Sequence, residues 1–379
     1  MLDDSAIKKL EESSGHSVFG PSSLPRIVKC PGSVNECLKV PPKPSSIYAE
    51  HGTMLHDIVE KELNHIPCDY DKLSIVDASY VMDCLNWVET LKEKHTGEIY
   101  MGVEQKVTLS SFGLPEIYGT ADSVIASADR IDITDWKFGS GVPRYAKGCQ
   151  QSLAYAAGAV GFDDELENIK VFIHIVQPPL RIFDTIELTY REMVSAVETI
   201  RTAVVLAKKE NPPRLAGLSQ CRFCAANMTC SERHNATKRD AAAVFNAMSA
   251  PTIISDEAIS MLLTKATAIQ QYIKDAQKYA SDRIRGGYGF PGFKLVPGRS
   301  QRKWKDAKAA EKFLMEQGFA DEQLHKKKFV SPAQAEKLNK ETKEAIVDLW
   351  EKPDGKPMIV SEDDKRPALQ FNDGSVFIN

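Results

Sequence analysis

GTADSVIASADRIDITDWK, residues Gly119 to Lys137, is the stretch whose reading decides the fold. Two β-patterned runs, Glu116 to Ala126 and Ile131 to Lys137, flank the polar turn Ser127-Ala128-Asp129-Arg130. A two-residue hairpin loop at Ala128 and Asp129 makes the numbers of paired residues sum to one constant, which sets Asp122 opposite Asp135. Lys137, two residues further on, then shares the face of Asp135, because side chains alternate along a strand. Directly opposed side chains have Cβ atoms about 4.5–5.5 Å apart, and like charges there are destabilising. A divalent cation between the two carboxylates is the natural compensation, since hard cations take carboxylate oxygens. The adjacent lysine can then orient or help deprotonate an attacking water, or stabilise charge developing on a phosphate. The alternative is a solvated hairpin with two ordinary aspartates.

Working outward, Ser22 to Val40 is rich in Pro and Ser and holds Cys30 in KCPGS. Apolar spacing predicts helices over Ile47 to Ile66, with His56 and Glu60 one turn apart, and over Asp77 to Lys94. A strand over Glu98 to Leu109 leads into the hairpin. Arg144 to Gly161 reads as an amphipathic helix carrying Gln151 and Tyr155 at i and i+4, Ile169 to Val176 as a short apolar strand, and Tyr190 to Lys209 as a helix. The order helix, three strands, helix, strand implies an α/β fold, a mixed sheet flanked by helices.

Length and composition agree. A chain of 379 residues is long enough for two or three domains, and 42% hydrophobic with 26% charged residues is the balance of a globular protein. The net charge of −4 gives no global sign of nucleic-acid affinity, so any basic surface must be local. MLDDSAIKKLEESSG is not a signal peptide and no apolar run is bilayer-length, so a cytoplasmic, non-membrane protein is expected. Eight cysteines then argue for metal ligation rather than disulfides.

Gly119-x2-Asp122, Asp135-Trp136-Lys137 and Gln151-x3-Tyr155, with the upstream His56 in GTMLH, together resemble the RecB-like branch of the PD-(D/E)xK nuclease superfamily. Taken singly, a helical histidine or a Gln-Tyr pair is commonplace; the conjunction of four short motifs in order carries the resemblance. It implies a restriction-endonuclease-like core, with Asp122 and Asp135 as Mg²⁺ or Mn²⁺ ligands and His56 as a further ligand. Lys137 would be the signature lysine, and Gln151 and Tyr155 would orient substrate and lysine. Glu104 is a weaker match for another ligand. His51, His65 and His95 read as capping, core or surface groups.

A second constellation is Cys221-x2-Cys224-x5-Cys230. Thiolates suit zinc or iron–sulfur centres, and three local cysteines need a fourth partner. His234, four positions after Cys230, would complete a self-contained zinc site. Cys30 is the other candidate. One cysteine before the core and three after it is the layout of iron–sulfur RecB-like nucleases, including AddB-type recombination subunits and CRISPR adaptation nucleases. That resemblance implies a [4Fe–4S] cluster on Cys30, Cys221, Cys224 and Cys230 as a structural staple. Cys37, Cys68, Cys84 and Cys149 have no ligand spacing and read as small core residues.

Beyond Asn235, Ala241 to Ala250 reads as a connecting segment and Asp256 to Gly286 as a long amphipathic helix. FKLVPGRSQRKWKD reads as a β-hairpin, with short helices over Ala307 to Gln317 and Ser331 to Trp350. The expected domains are 1–235, nuclease and cysteine cluster; 236–286, connecting segment and helix; and 287–379, a smaller α+β accessory region. Basic residues around Trp304 (Arg299, Arg302, Lys303, Lys305) and Lys326 to Lys328 are expected to guide DNA, unless Trp304 is buried and the charges are merely solvated. These phrases and KCPGS resemble poorly characterised phage and prophage proteins with the same core. The expectation is a metal-dependent DNA exonuclease in phage replication or recombination, with a phage recombinase or replication protein as a partner. The alternatives are a non-catalytic nucleic-acid or assembly adaptor, and a structure-specific endonuclease.

Overall fold

The computed structural model describes residues 7–8, 11, 17–41, 47–70, 73–248, 255–298, 302–324, 331–335, 345–351, 355–361 and 367–369. Two compact units divide it at Gln271/Tyr272.

In the first unit the hairpin forms as its loop length requires. β1 (Tyr100–Leu109), β2 (Leu114–Ala126) and β3 (Arg130–Trp136) are antiparallel neighbours. Ser123 pairs with Thr134, Val124 with Ile133, Ile125 with Asp132 and Ala126 with Ile131, all in the register of a two-residue loop, and Ser127 N donates to Arg130 O at 2.8 Å. Asp122 and Asp135 are the next step of that register, just beyond the last β2–β3 pair. There the Trp136 N–H, which has no β2 carbonyl, donates to Asp122 Oδ2 at 2.7 Å.

β4 (Lys170–Gln177) lies parallel to β3, and β5 (Ile182–Thr189) antiparallel to β4, so the sheet is mixed, in the order β1-β2-β3-β4-β5. A parallel neighbour requires a crossover. The chain after Lys137 supplies it, as an exposed loop followed by a helix. That helix spans only Gln150–Val160, not Arg144 to Gly161. Gly148 sits at φ +74°, outside the helical region, so the helix starts after it. β5 was not anticipated. Its burial alternates between half-buried and exposed, which gives an edge strand a weak hydrophobic signal.

Helices cover both faces of the sheet, numbered here α1 (Leu24–Lys29), α2 (Ser33–Leu38), α3 (Ile47–Leu63), α4 (Ile75–Lys92), α5 (Gln150–Val160) and α6 (Tyr190–Ala207). On one face Val124, Ile131, Ile133 and Ile173 pack with Ala154 and Ala157 of α5 and Met193, Val197 and Ile200 of α6. On the other, Ile125, Trp136 and Val176 pack with Leu55 and Val59 of α3 and Val81, Val88 and Leu91 of α4. Thr189 and Glu192 form a capping box that fixes the start of α6.

On the α3/α4 face of the sheet also sits a buried polar network. Asp132 accepts from Arg130 Nε at 2.6 Å and Nη2 at 2.7 Å, and its Oδ1 lies 2.8 Å from His174 Nε2. His95 Nε2 is 2.9 Å from Asp132 Oδ2, so His95 belongs to the interior, one of the readings given to it above. Burial lowers the pKa of His174, which stays neutral. Burial opposes ionisation of Asp132, but its bonds to His174 and Arg130 outweigh that and lower its pKa. The unfolded chain therefore binds more protons at both groups, so stability falls on acidification. It is expected to drop below about pH 6.5, where unfolded histidine protonates, and again through the depressed range of Asp132. Asp132→Ala should cost about 3–5 kcal/mol at neutral pH and leave only the histidine part, as urea unfolding from about pH 2 to 8 would read.

Three further elements complete this unit: α7 (Leu218–Arg222), α8 (Ser231–Met248) and the first half of α9 (Asp256–Arg285). Ala241 to Met248 is therefore helix rather than connector; AAAVFNAM is rich in the strongest helix former. In the second unit, β6 (Phe293–Gly298) pairs with Gly355–Ser361, and Lys303–Trp304 with Trp350–Glu351. The expected hairpin is absent: both strands exist but each takes a distant partner, which local pattern does not specify. Trp304 packs with Trp350 against the cluster of Leu314, Leu324, Ala335 and Ile346. Its ring is thus engaged with the core, not offered for stacking. Arg299 and Lys326 to Lys328 lie outside the described residues, as does much of Ser331 to Trp350. Among the described residues no helix is long and apolar enough to cross a membrane.

Candidate active site

β1 breaks regular geometry at Glu104. Glu104 has φ +48°, while Val103–Ser123 and Gln105–Ala121 keep the register on either side of it. The position it skips is opposite Asp122. A non-glycine residue in this left-handed region costs on the order of 1–3 kcal/mol and persists only where its surroundings impose it. Here the Glu104 carboxylate, the Asp122 carboxylate and the His56 ring each offer a ligand atom within 4.8 Å of the others.

His56 is supplied by α3, its Nδ1 3.7 Å from Asp122 Oδ2 and its ring edge-on to Phe138 at 5.1 Å. Burial, reinforced by the Lys137 charge, lowers its pKa to about 4. A neutral imidazole forms no ion pair with Asp122; it offers a lone pair instead. Burial and then the charge of Asp135 hold the Asp122 carboxyl well above the usual range. Burial and then Glu60 raise Glu104. Crowded, partly desolvated carboxylates resist ionising unless a cation joins them.

Asp135 stands outside this trio. Its Oδ2 lies 2.7 Å from Lys137 Nζ, a buried ion pair. Burial alone would lower the pKa of Lys137, but Asp135 and Asp122 together raise it, so the ammonium persists. Lys137 Nζ donates to Gln151 Oε1 at 3.3 Å, and Gln151 Nε2 donates to Tyr155 OH at 3.0 Å. A Cβ at Gly119 would sit 3.0 Å from Pro21 Cδ and 3.7 Å from Tyr155 Cε1, so glycine permits the close approach here. The sequence-named residues thus form two linked groups: His56 and Asp122 with Glu104, and Asp135-Lys137-Gln151-Tyr155. Glu104, the weakest sequence match, joins the trio that Asp135 was expected to join. One imidazole and two carboxylates, beside the Asp135–Lys137 ion pair, are a donor set that fits Mg²⁺ or Mn²⁺.

Cys30, Cys221, Cys224 and Cys230 line one cavity. Two segments far apart in sequence meet there: Gly32 N donates to Pro213 O at 2.8 Å, and Leu215 N to Cys30 Sγ at 3.3 Å. A Cβ at Gly32 would lie 2.5 Å from Arg214 Cγ, so only glycine lets the segments close. Burial raises the pKa of the Cys30 and Cys221 thiols. No three of these sulfurs lie within 4.8 Å of one another. Tetrahedral zinc, with Zn–S of about 2.3 Å, brings sulfurs to roughly 3.8 Å. The cavity gathers four thiols without holding three of them at zinc spacing. His234 does not line it; its Nε2 is 3.0 Å from Met228 O, so the self-contained zinc set is not gathered. Of the cysteines read as core, Cys84 is buried and Cys68 and Cys149 are half-buried. Cys37 is a fifth thiol of this region, its Sγ 3.6 Å from Cys224 Sγ.

A family model described as "Protein of unknown function (DUF2800)" matches residues 16–367. Among solved structures, one titled "Crystal structure of SSO0001" is similar at 16% identity and a TM-score of 0.24, over 61% of this chain and 97% of that one.

Proposed function

We propose that this chain, which belongs to the DUF2800 family of proteins of unknown function, is a metal-dependent deoxyribonuclease with a RecB-like PD-(D/E)xK core. The observation that carries the reading is the convergence of His56, Glu104 and Asp122 ligand atoms within 4.8 Å, beside the Lys137–Asp135 pair. His56, Glu104 and Asp122 would hold Mg²⁺ or Mn²⁺, beside the Asp135–Lys137 ion pair. When bound, the cation supplies Lewis-acid polarisation of the scissile phosphate and lowers the pKa of an attacking water.

Lys137 acts through its charge. With its pKa raised, it is an ammonium at neutral pH, suited to stabilising negative charge that grows on the phosphate rather than to abstracting a proton. Gln151 holds that ammonium in place, and Tyr155 holds Gln151. Neutral His56 leaves the site's charge balance to the carboxylates and the cation. Cys30, Cys221, Cys224 and Cys230 would hold a [4Fe–4S] cluster that fastens α1 to the segment after α6.

The substrate reading is an exonuclease acting on DNA ends, with phage replication or recombination as the setting that the sequence resemblance implies. Anaerobically purified protein, given Mg²⁺ or Mn²⁺, should degrade end-labelled linear DNA and spare covalently closed circles. Cleavage of circles would favour an endonuclease. Binding without cleavage under either metal would favour an adaptor that keeps only the fold.

A further inference from the structure

The loop between Lys137 and Gln151 is exposed at its tip but anchored at its base. Buried Gln177 donates from Nε2 to Gly139 O at 2.6 Å and Val142 O at 3.0 Å, and accepts from Arg144 N at 2.9 Å. Asp184 Oδ2 accepts from Ala146 N at 2.7 Å. These bonds use side chains of β4 and β5 to fix the backbone of a segment whose outward residues are Arg144, Tyr145 and Lys147, all exposed. Fixing the backbone removes ordering entropy that a binding loop would otherwise lose on capture.

The cysteine segment meets this loop. Phe223, between Cys221 and Cys224, is 62% exposed, and Tyr145 is 58% exposed. The guanidinium of Arg144 lies 5.6 Å from the Phe223 ring centroid and that of Arg222 lies 5.9 Å from it. Both guanidiniums lie over the ring near the outer limit of a cation–π contact, and the ring stays largely exposed. Two exposed aromatic side chains among three cations, in a chain of net charge −4, form a local basic and aromatic surface.

We infer that Arg144, Tyr145, Lys147, Arg222 and Phe223 form a binding platform for single-stranded nucleic acid, stacking unpaired bases on the two rings and holding phosphates on the cations. Exposed ring faces and backbone-tracking cations are the chemistry that single strands use, whereas a duplex keeps its base faces stacked inside. The inference rests on the nuclease reading for its substrate class and deepens it. A strand gripped between Lys137 and Gln151 in sequence is delivered to the segment that carries both. It also gives the cysteine segment a second task, presenting Phe223.

The test is fluorescence anisotropy of the full chain with a labelled oligothymidylate and with a blunt duplex of equal length, in chelator, across a salt series. Without divalent cation no cleavage intervenes, so failure of the nuclease reading leaves this result readable. The wild type should bind the single strand at least about tenfold tighter than the duplex. Phe223→Ala and Tyr145→Ala should each weaken single-strand binding roughly tenfold with an unchanged salt slope, and Phe223→Tyr should retain it. Arg144→Ala and Arg222→Ala should each lower the salt slope by about 0.7. Wild-type affinity in Phe223→Ala and Tyr145→Ala, or an equal loss on duplex, would overturn the platform.

Discussion

Asp122→Asn is expected to make the metal-free protein more heat-stable while lowering metal-dependent DNA cleavage by roughly 10³-fold or more. The two effects have one cause. Asp122 is buried beside Asp135, and its carboxyl is held well above the usual range. The folded protein therefore binds that proton more tightly than the unfolded chain. Stability from this group is full at low pH and is lost as pH rises through the raised value. Asparagine has no such titration and can still accept from Trp136 N, so it removes that cost at neutral pH. Divalent cation needs the ionised form, so its binding should release a proton and tighten as pH rises. Lys137→Ala should separate the roles, abolishing cleavage while keeping cation affinity. Calorimetry with and without Mn²⁺, beside a cleavage assay, reads all of this. A destabilised Asp122→Asn protein that still cleaves would reduce Asp122 to a hydrogen-bond acceptor for β3.

The next largest effect is expected at the cysteines. Cys30→Ser should lose iron and acid-labile sulfide as completely as Cys221→Ser or Cys224→Ser, and should lower the melting temperature by more than about 10 °C. His234→Ala should keep both metal and stability, since His234 faces Met228 O rather than the cavity. Cys30 is the informative position because it is supplied by the chain ahead of the five-stranded sheet, and only Gly32 lets that segment close on Arg214. Colourless protein with stoichiometric zinc, indifferent to Cys30→Ser, would contradict the cluster and restore the local site. Cys37→Ser tests whether the fifth thiol is needed; it should retain the cluster.

What the sequence disclosed follows from where the information is local. Loop length determines hairpin register, so the Ser123–Thr134 to Ala126–Ile131 ladder was legible from four turn residues. Helical spacing likewise disclosed His56 on α3 and Gln151 with Tyr155 on α5. Glu104 was hard to weigh because a strand pattern implies extended backbone throughout, and its left-handed φ is invisible to periodicity. The expected sharing of one cation by Asp122 and Asp135 assumed that both stay in the ladder. Instead, Asp122 turns to the Trp136 N–H and Asp135 to Lys137. Gln177, which anchors the basic loop, gave no signal because it ends an apolar strand and bonds to backbone 35–38 residues away. The true partners of Phe293–Gly298 and Lys303–Trp304 were likewise non-local.

The central claim is that His56, Glu104 and Asp122 together hold a divalent cation. Anomalous diffraction from a crystal of the wild-type protein soaked in Mn²⁺ tests it most directly. The account predicts a manganese peak bounded by His56, Glu104 and Asp122, next to Asp135, and its disappearance in Asp122→Asn. A peak elsewhere, or the same peak undiminished in Asp122→Asn, would contradict it.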